Sequence, residues 1–256
     1  MKTLQLESIV KSFDGQVVLE SVSIGLQTGH MNLVVGPSGS GKSTLARVAS
    51  GLLDADSGRR MIDHGQGSPQ EVRGIGRDIQ FVFQNPFASL NPARTVGDAL
   101  STPLRNYLHL NGRSWIPRAS ELLEKLGLTP AATYLERYPH QLSGGQKQRV
   151  VLARSLAAEP TFLIADEPTA MLDQSLKHEV YGLFRSLADN LGIGVLMVTH
   201  DLLGAQSYAD NITVLDQGQI IFAGPPSSLA TQSDHSKVTR LIEAASFPYP
   251  KKATNQ

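Results

Sequence analysis

The sequence predicts an α/β fold: a mostly parallel sheet, an N-terminal antiparallel β layer and an inserted helical subdomain. Three observations carry this expectation. The runs "HMNLVV", "TFLIAD" and "IGVLMVTH" are short, apolar and unbroken, as strands covered on both faces are. The first of them leads directly into a glycine loop and a helical pattern, "GPSGSGKSTLARVASGLL". From about residue 86 to residue 158 the pattern is mostly helical, and strand and helix alternation returns after it.

Taken in order, "KTLQLESIV", "QVVLESVSIGLQ" and "HMNLVV" are rich in β-branched and apolar residues. They are broken at Asp14-Gly15 and Thr28-Gly29, so residues 2 to 35 read as strands. "IQFVF" is a further strand, after which the insertion begins. Pro103, Pro117, Pro130 and Pro139 are expected to divide that insertion into short pieces. Beyond Pro160, Leu176, Val180, Leu183, Phe184, Leu187 and Leu191 recur at helical spacing and predict one buried stripe ended by Gly192. "NITVLDQGQIIFAG" predicts a hairpin turning at Gln217-Gly218, and a helix and a polar end are expected from about Thr231. The expected organisation is one domain over 1–256: a core with its β layer at 1–85 and 159–230, the inserted subdomain at 86–158, and a short tail at 231–256.

A chain of 256 residues can bury a full core, which suits one large domain or a domain with an embedded subdomain. Lys plus Arg and Asp plus Glu are both 23, and no dense basic run occurs, so the electrostatic footprint of a nucleic-acid binder is missing. Without cysteines there are no disulfides, no Cys-held iron–sulfur clusters and no thiol catalysis, and a reducing compartment, by default the cytoplasm, is expected. "MKTLQLESIVKSF" alternates where a signal peptide would be continuously apolar. There is no run of about 18 apolar residues, so any membrane role would come through partners.

The chemistry concentrates in a few motifs. "GPSGSGKST" (Gly36, Pro37, Ser38, Gly39, Ser40, Gly41, Lys42, Ser43, Thr44) matches a phosphate-binding loop, with a strand before it and a helix after. Its glycines let the backbone wrap a β-phosphate, Lys42 bridges β- and γ-phosphates, and the Ser43 hydroxyl can ligate Mg²⁺. "FLIADEPT" puts Asp166 at the carboxyl end of a buried strand. There Asp166 could hold Mg²⁺ through water while Glu167 accepts a proton from attacking water, or the pair could simply cap a helix; the phosphate loop upstream favours the first. His200 ends "VLMVTH", either as a structural histidine or as a contact to γ-phosphate or water. Gln84 is a polar boundary residue or a carbonyl that reaches Mg²⁺ and links the insertion to nucleotide. Phe13 either packs in the core or stacks on adenine. The other His residues form no pair at metal-ligand spacing.

"HQLSGGQKQRVVLARSLAAEP" looks like a second phosphate cradle. Ser143, Gly144 and Gly145 stand where a helix should begin, with free backbone N–H groups, yet no lysine follows.

Phe13, "GPSGSGKST", Gln84, "LSGGQ", "FLIADEP", Asp173 and His200, in this order, resemble the nucleotide-binding subunits of ATP-binding cassette (ABC) transporters. The resemblance extends from Thr3 to about Gly224, and its most specific element is "LSGGQ". It implies the fold of a phosphate-loop NTPase core in its ABC ATPase form, ATP and Mg²⁺ as cofactors, and two subunits paired head to tail with each ATP between the loop of one and the "LSGGQ" of the other. By the same resemblance Phe13 stacks on adenine, Gln84 is the Q-loop sensor, and Ser143, Gly145 and the rest of the signature (Gly144, Gln146) face the partner's γ-phosphate. Glu167 is then the catalytic carboxylate, Asp173 the inter-subunit residue and His200 the switch histidine, with Lys42, Ser43 and Asp166 at phosphate and metal.

"FQNPFASLNPARTVGDAL" resembles the oligopeptide, dipeptide and nickel importer branch, with Asn85 where Asp is usual. The tail "DHSKVTRLIEAASFPYPKK" departs from the His-Pro-Tyr-Thr of many relatives and is most similar to the second ATPase of nickel or metallophore importers. The implied partners are a second ATPase subunit, identical or paralogous, two membrane-spanning permease subunits and, indirectly, an extracytoplasmic binding protein. Nucleic acid is not among them, and the implied place is the cytoplasmic face of the inner membrane. The rival expectations are an ABC-type ATPase acting on nucleic acid or ribosomes, and a soluble phosphate-loop kinase, which would leave "LSGGQ" without a purpose.

Overall fold

The computed structural model describes residues 1–229 except 66, 75, 85–88 and 171; the expected tail helix and Asn85 lie outside the described residues. Among the described residues, ten strands form two sheets. The first has the order β2-β1-β4-β5, built from β1 (Thr3–Phe13), β2 (Gln16–Gln27), β4 (Ser57–Asp63) and β5 (Gln70–Glu71), all antiparallel. The second has the order β10-β9-β3-β8-β7-β6: β3 (Met31–Val35), β6 (Ile79–Val82), β7 (Phe162–Asp166), β8 (Gly194–Val198), β9 (Asn211–Asp216) and β10 (Gln219–Gly224). It is parallel from β9 to β6, and only the β9–β10 hairpin is antiparallel.

The unbroken apolar runs are explained by burial of both faces. Along β7, Leu163 and Ala165 point to one core while Phe162 and Ile164 point to the other. Val195 and Met197 of β8 join the first core, and Leu196 and Val198 the second, as the two-residue period of a strand requires. Each fully buried side chain of this size contributes about 1.5–3 kcal/mol. The second core is closed by the β layer, through Leu4, Leu6, Ile9, Leu19, Val22 and Leu26, and by α1 (Lys42–Ser50). The first is closed by α6 (Gln174–Leu191) and by the inserted helices α2 (Val96–Leu108), α3 (Trp115–Lys125), α4 (Ala131–Leu135) and α5 (Gly144–Leu156). Two short helices, α7 (Leu202–Ala205) and α8 (Pro226–Leu229), complete the described chain.

The predicted hairpin at Gln217-Gly218 forms, and the predicted break at Asp14-Gly15 is a turn of the same kind. Asp14 and Gly15 have φ of 49° and 81°, and Gln217 and Gly218 have 47° and 79°, the paired positive values of a type I′ hairpin. Two details differ from expectation. Pro103 lies inside α2 and does not end it. Its neighbours Leu100 and Leu104 are fully buried, and their packing offsets the roughly 3 kcal/mol that an interior proline costs. The stripe of α6 is buried at Val180, Phe184 and Leu187, but Leu191 is 43% exposed. There the helix is closing on Gly192, whose φ of 65° and N–H bonds to Ala188 and Leu187 end it. Tyr181, skipped by the apolar pattern, is fully buried instead.

Candidate functional site

The order β3-β8-β7-β6 sets four loops side by side at the carboxyl edge of the parallel sheet, where open α/β sheets present ligands. Gly36 follows β3, His200 lies two residues past β8, Asp166 ends β7 with Glu167 next, and Gln84 lies two residues past β6. Residues more than a hundred apart in sequence thereby converge.

The phosphate loop is fixed by steric necessity. A Cβ on Gly36 would lie 2.0 Å from the Leu215 carbonyl oxygen, and Gly41, which precedes α1, has φ of 102°; no other residue suits both demands. Lys42 is buried and its Nζ donates to the carbonyls of Gly36 at 2.9 Å and Pro37 at 2.8 Å. Burial pushes the Lys42 ammonium below its ordinary value, with Glu167 and Asp166 pulling the other way. Among the described residues it has no directly bonded carboxylate, a state that an anion would relieve.

Beside it, the Ser43 hydroxyl donates to Asp166 Oδ1 at 2.9 Å. Burial pushes the Asp166 carboxyl up, against the lowering effect of that hydrogen bond. A buried carboxylate next to a hydroxyl offers hard oxygen donors, a set that would suit Mg²⁺. Among the described residues no cluster of three or more His, Cys, Asp or Glu forms a separate metal site.

Glu167 stands in a left-handed turn, φ 46°, with its N–H on the Val198 carbonyl at 2.9 Å. Such a conformation costs a non-glycine residue about 1 kcal/mol or more and is found where a side chain must be aimed. Glu167 Oε2 accepts from Gln84 Nε2 at 3.1 Å and lies 3.5 Å from His200 Nδ1. Gln84, Glu167 and His200 therefore meet at one oxygen, next to Lys42, Ser43 and Asp166.

The remaining candidates lie elsewhere. Phe13, at the end of β1, is 44% exposed with Lys11 Nζ 5.5 Å from its ring centre. Its exposed face leaves stacking available. Asp173 is the N-cap of α6 and accepts from the Leu176 N–H at 3.0 Å. Ser143 is the N-cap of α5 in a reciprocal capping box: its Oγ accepts from Gln146 N–H at 3.3 Å, and Gln146 Oε1 accepts from Ser143 N–H at 3.0 Å. Gln146 Nε2 also donates to the Tyr134 hydroxyl at 3.3 Å, so the cradle is braced from within the inserted subdomain. The sequence reading missed Tyr134, and it missed Thr169, Tyr181 and Asp201 beneath the site. A tyrosine next to an apolar stripe was the available signal.

A model of the family described as ABC transporter matches residues 19–170, more than half of the chain. The glutathione import ATP-binding protein GsiA of Escherichia coli (strain K12) is 37% identical over 242 residues, covering 93% of this chain and 38% of that protein. GsiA of Shigella dysenteriae serotype 1 matches to the same extent. The chain thus spans 38% of the length of these relatives. Among solved structures, the ADP conformation of an ATP-binding cassette of an ABC transporter superposes with a TM-score of 0.78 at 29% identity, covering 94% of this chain and 99% of that one. CbiO1 from Clostridium perfringens, part of the ABC transporter complex cbiONQ, gives 0.77 at 28% identity over 94% and 98%.

Proposed function

The chain belongs to the ABC transporter family, and from that premise we propose that it is the ATP-hydrolysing motor subunit of an importer. The observation that carries this reading is the meeting of Gln84, Glu167 and His200 at one carboxylate oxygen beside a phosphate loop. In this reading Phe13 stacks on adenine, and the backbone of Gly36 to Thr44 wraps the phosphates. Lys42 leaves its two carbonyls for the β- and γ-phosphates. Ser43, Asp166 and Gln84 hold Mg²⁺, which neutralises phosphate charge when bound. Glu167 takes the proton of a water that attacks the γ-phosphorus, releasing ADP and inorganic phosphate, and His200 orients that water or the γ-phosphate.

The signature stretch completes the site from a second subunit. Gly144 and Gly145 are helical, and a Cβ on either would meet nothing within 4 Å. Glycine in a helix costs about 1 kcal/mol against alanine, and nothing among the described residues crowds these two positions. An approach by another molecule would, and the N-terminus of α5, with Ser143 and Gly145 foremost, is the place to receive an anion. Asp173, at the start of α6, would face the same partner. ATP binding then closes two such subunits and hydrolysis reopens them.

No described helix is long and apolar enough to cross a membrane. A groove of about 490 Å³ between core and insertion, lined in part by Leu52, Phe81, Phe83, Pro103 and Tyr107, offers an apolar seat to a membrane-spanning partner. Phe83 is 45% exposed there. The reading therefore includes two permease subunits, an extracytoplasmic binding protein acting through them, and a peripheral position at the cytoplasmic face of the inner membrane. The cargo is nickel or a metallophore, or a di- or oligopeptide; relatives named for import of glutathione, a tripeptide, favour the peptide side.

Purification from detergent-solubilised membranes tests this. Co-purification with a permease pair and a second ATPase, and Mg²⁺-dependent release of phosphate from ATP, is the expected result. Recovery with nucleic acid and without membrane proteins would favour the rival class.

A further inference from the structure

Beneath the site lies a buried polar cluster that none of the roles above uses. Tyr181 on α6 is fully buried, its ring packed against those of His178 and Tyr208 at 6.3 and 5.8 Å between centres. A tyrosine in such a position needs a partner for its hydroxyl. It has two: the hydroxyl donates to Asp201 Oδ2 at 3.0 Å and lies 3.1 Å from Thr169 Oγ1. A phenol oxygen carries one proton and two lone pairs. With its proton committed to Asp201, Thr169 is the donor to the phenol oxygen.

These partners belong to two different loops. Thr169 lies two residues after Glu167, whereas Thr199 and Asp201 flank His200. Asp201 also organises its own loop, accepting from Gly204 N–H at 2.9 Å while its N–H donates to Thr199 Oγ1 at 3.0 Å. Thr169 and Thr199 are themselves buried. The backbone bond from Glu167 to Val198 registers the loops where they leave the sheet. Farther out, the side-chain cluster around Tyr181 spans the gap between them.

We propose that Tyr181 is a positioning residue for ATP hydrolysis, its hydroxyl setting the separation of Glu167 and His200 by tying together the loops that carry them. The tie acts through Thr169 on one side and Asp201 on the other, and Tyr181, fully buried, works through these residues. The inference rests on the ATPase reading given above. Two buried hydrogen bonds to one oxygen restrain the drift of either loop, and misplacement of a reacting group by about 1 Å can lower a rate about a hundredfold.

The test uses the assembled transporter, with steady-state phosphate release and nucleotide binding measured on the same preparations. Tyr181→Phe keeps the ring and removes only the tie. Its kcat should fall about tenfold, while KM and the nucleotide Kd stay within about twofold of wild type. Thr169→Val removes one donor to the same hydroxyl and should lower kcat in the same direction. The double variant should be no worse than Tyr181→Phe alone, because both cut one link. An unchanged kcat in Tyr181→Phe, even with a lowered melting temperature, would overturn the proposal, as would additive losses or a parallel rise in KM and Kd. Should Tyr181→Phe fail to fold, Thr169→Val decides alone: a lowered kcat at constant Kd supports the tie, and wild-type kcat overturns it. Absence of ATP hydrolysis in the wild type would overturn the ATPase reading and this inference with it, which keeps the two failures distinct.

Discussion

His200 Nδ1 lies 3.5 Å from Glu167 Oε2, the same oxygen that accepts the Gln84 amide at 3.1 Å. One carboxylate oxygen thus gathers the loops that follow β6, β7 and β8. Glu167→Gln preserves size and shape but removes the proton acceptor. ATP binding should persist, turnover should fall by about 10²-fold or more, and a closed dimer should accumulate with ATP. Phosphate release and size-exclusion chromatography measure both effects. Robust turnover by this variant would remove Glu167 from the reaction.

Lys42 Nζ rests on the carbonyls of Gly36 and Pro37, in a pocket that disfavours its charge. Lys42→Ala should abolish the grip on phosphate, weakening ATP binding by about tenfold or more, since a charge-assisted contact is worth roughly 1.5–3 kcal/mol. Calorimetry with ATP reads the loss directly, and an unchanged affinity would count against the loop.

For Asp166 the sign of the pH effect can be worked out. Burial raises its pKa above the ordinary 3.8, so the fold prefers the protonated form. Its stability then declines as pH rises from that ordinary value through the raised one, and remains lower at neutral pH. Asp166→Asn removes the penalty. The ligand-free variant should melt higher than wild type at pH 7, with the difference closing as the pH is lowered below 3.8. The melting gain from Mg²⁺ and ATP should shrink. Thermal scans across pH, with and without nucleotide, check each part.

Ser143→Arg places a long cation at the mouth of α5. The lone subunit should bind ATP as wild type does, because Ser143 belongs to the inserted subdomain and not to the phosphate loop. Dimer closure and hydrolysis should fail. Fluorescent-nucleotide titration at low protein concentration separates the two. A loss of binding by the isolated subunit would refute the shared-site reading.

The phosphate loop was legible because its demands are local: glycines at fixed spacing, a strand before and a helix after. The strand at Asp166 and the hairpin at Gln217-Gly218 were legible for the same reason. The meeting of Gln84, Glu167 and His200 was not, since it depends on β7 lying between β6 and β8, an order that no short window encodes. β4 escaped notice because "SGRRMID" carries two arginines; Arg60 is buried there only because Val48 and Gly74 offer it carbonyls. Tyr181 was passed over because periodicity ranks a residue by apolar character, whereas its importance lies in one oxygen that joins two loops. Pro103 misled in the opposite direction, a local rule outweighed by burial of Leu100 and Leu104.

The capping box at Ser143 carries a chemical asymmetry. As a cap, Ser143 Oγ accepts from Gln146 N–H, and among the described residues its own proton has no acceptor and can be given away. Aspartate caps a helix about as well as serine, but an ionised carboxylate has no proton to give and would set a negative charge against an arriving anion. Ser143→Asp should therefore leave α5 and the melting temperature intact while ATP-driven pairing is lost. At this position the demands of folding and of recognition diverge: several residues can start the helix, and a hydroxyl can do so while still donating to a phosphate.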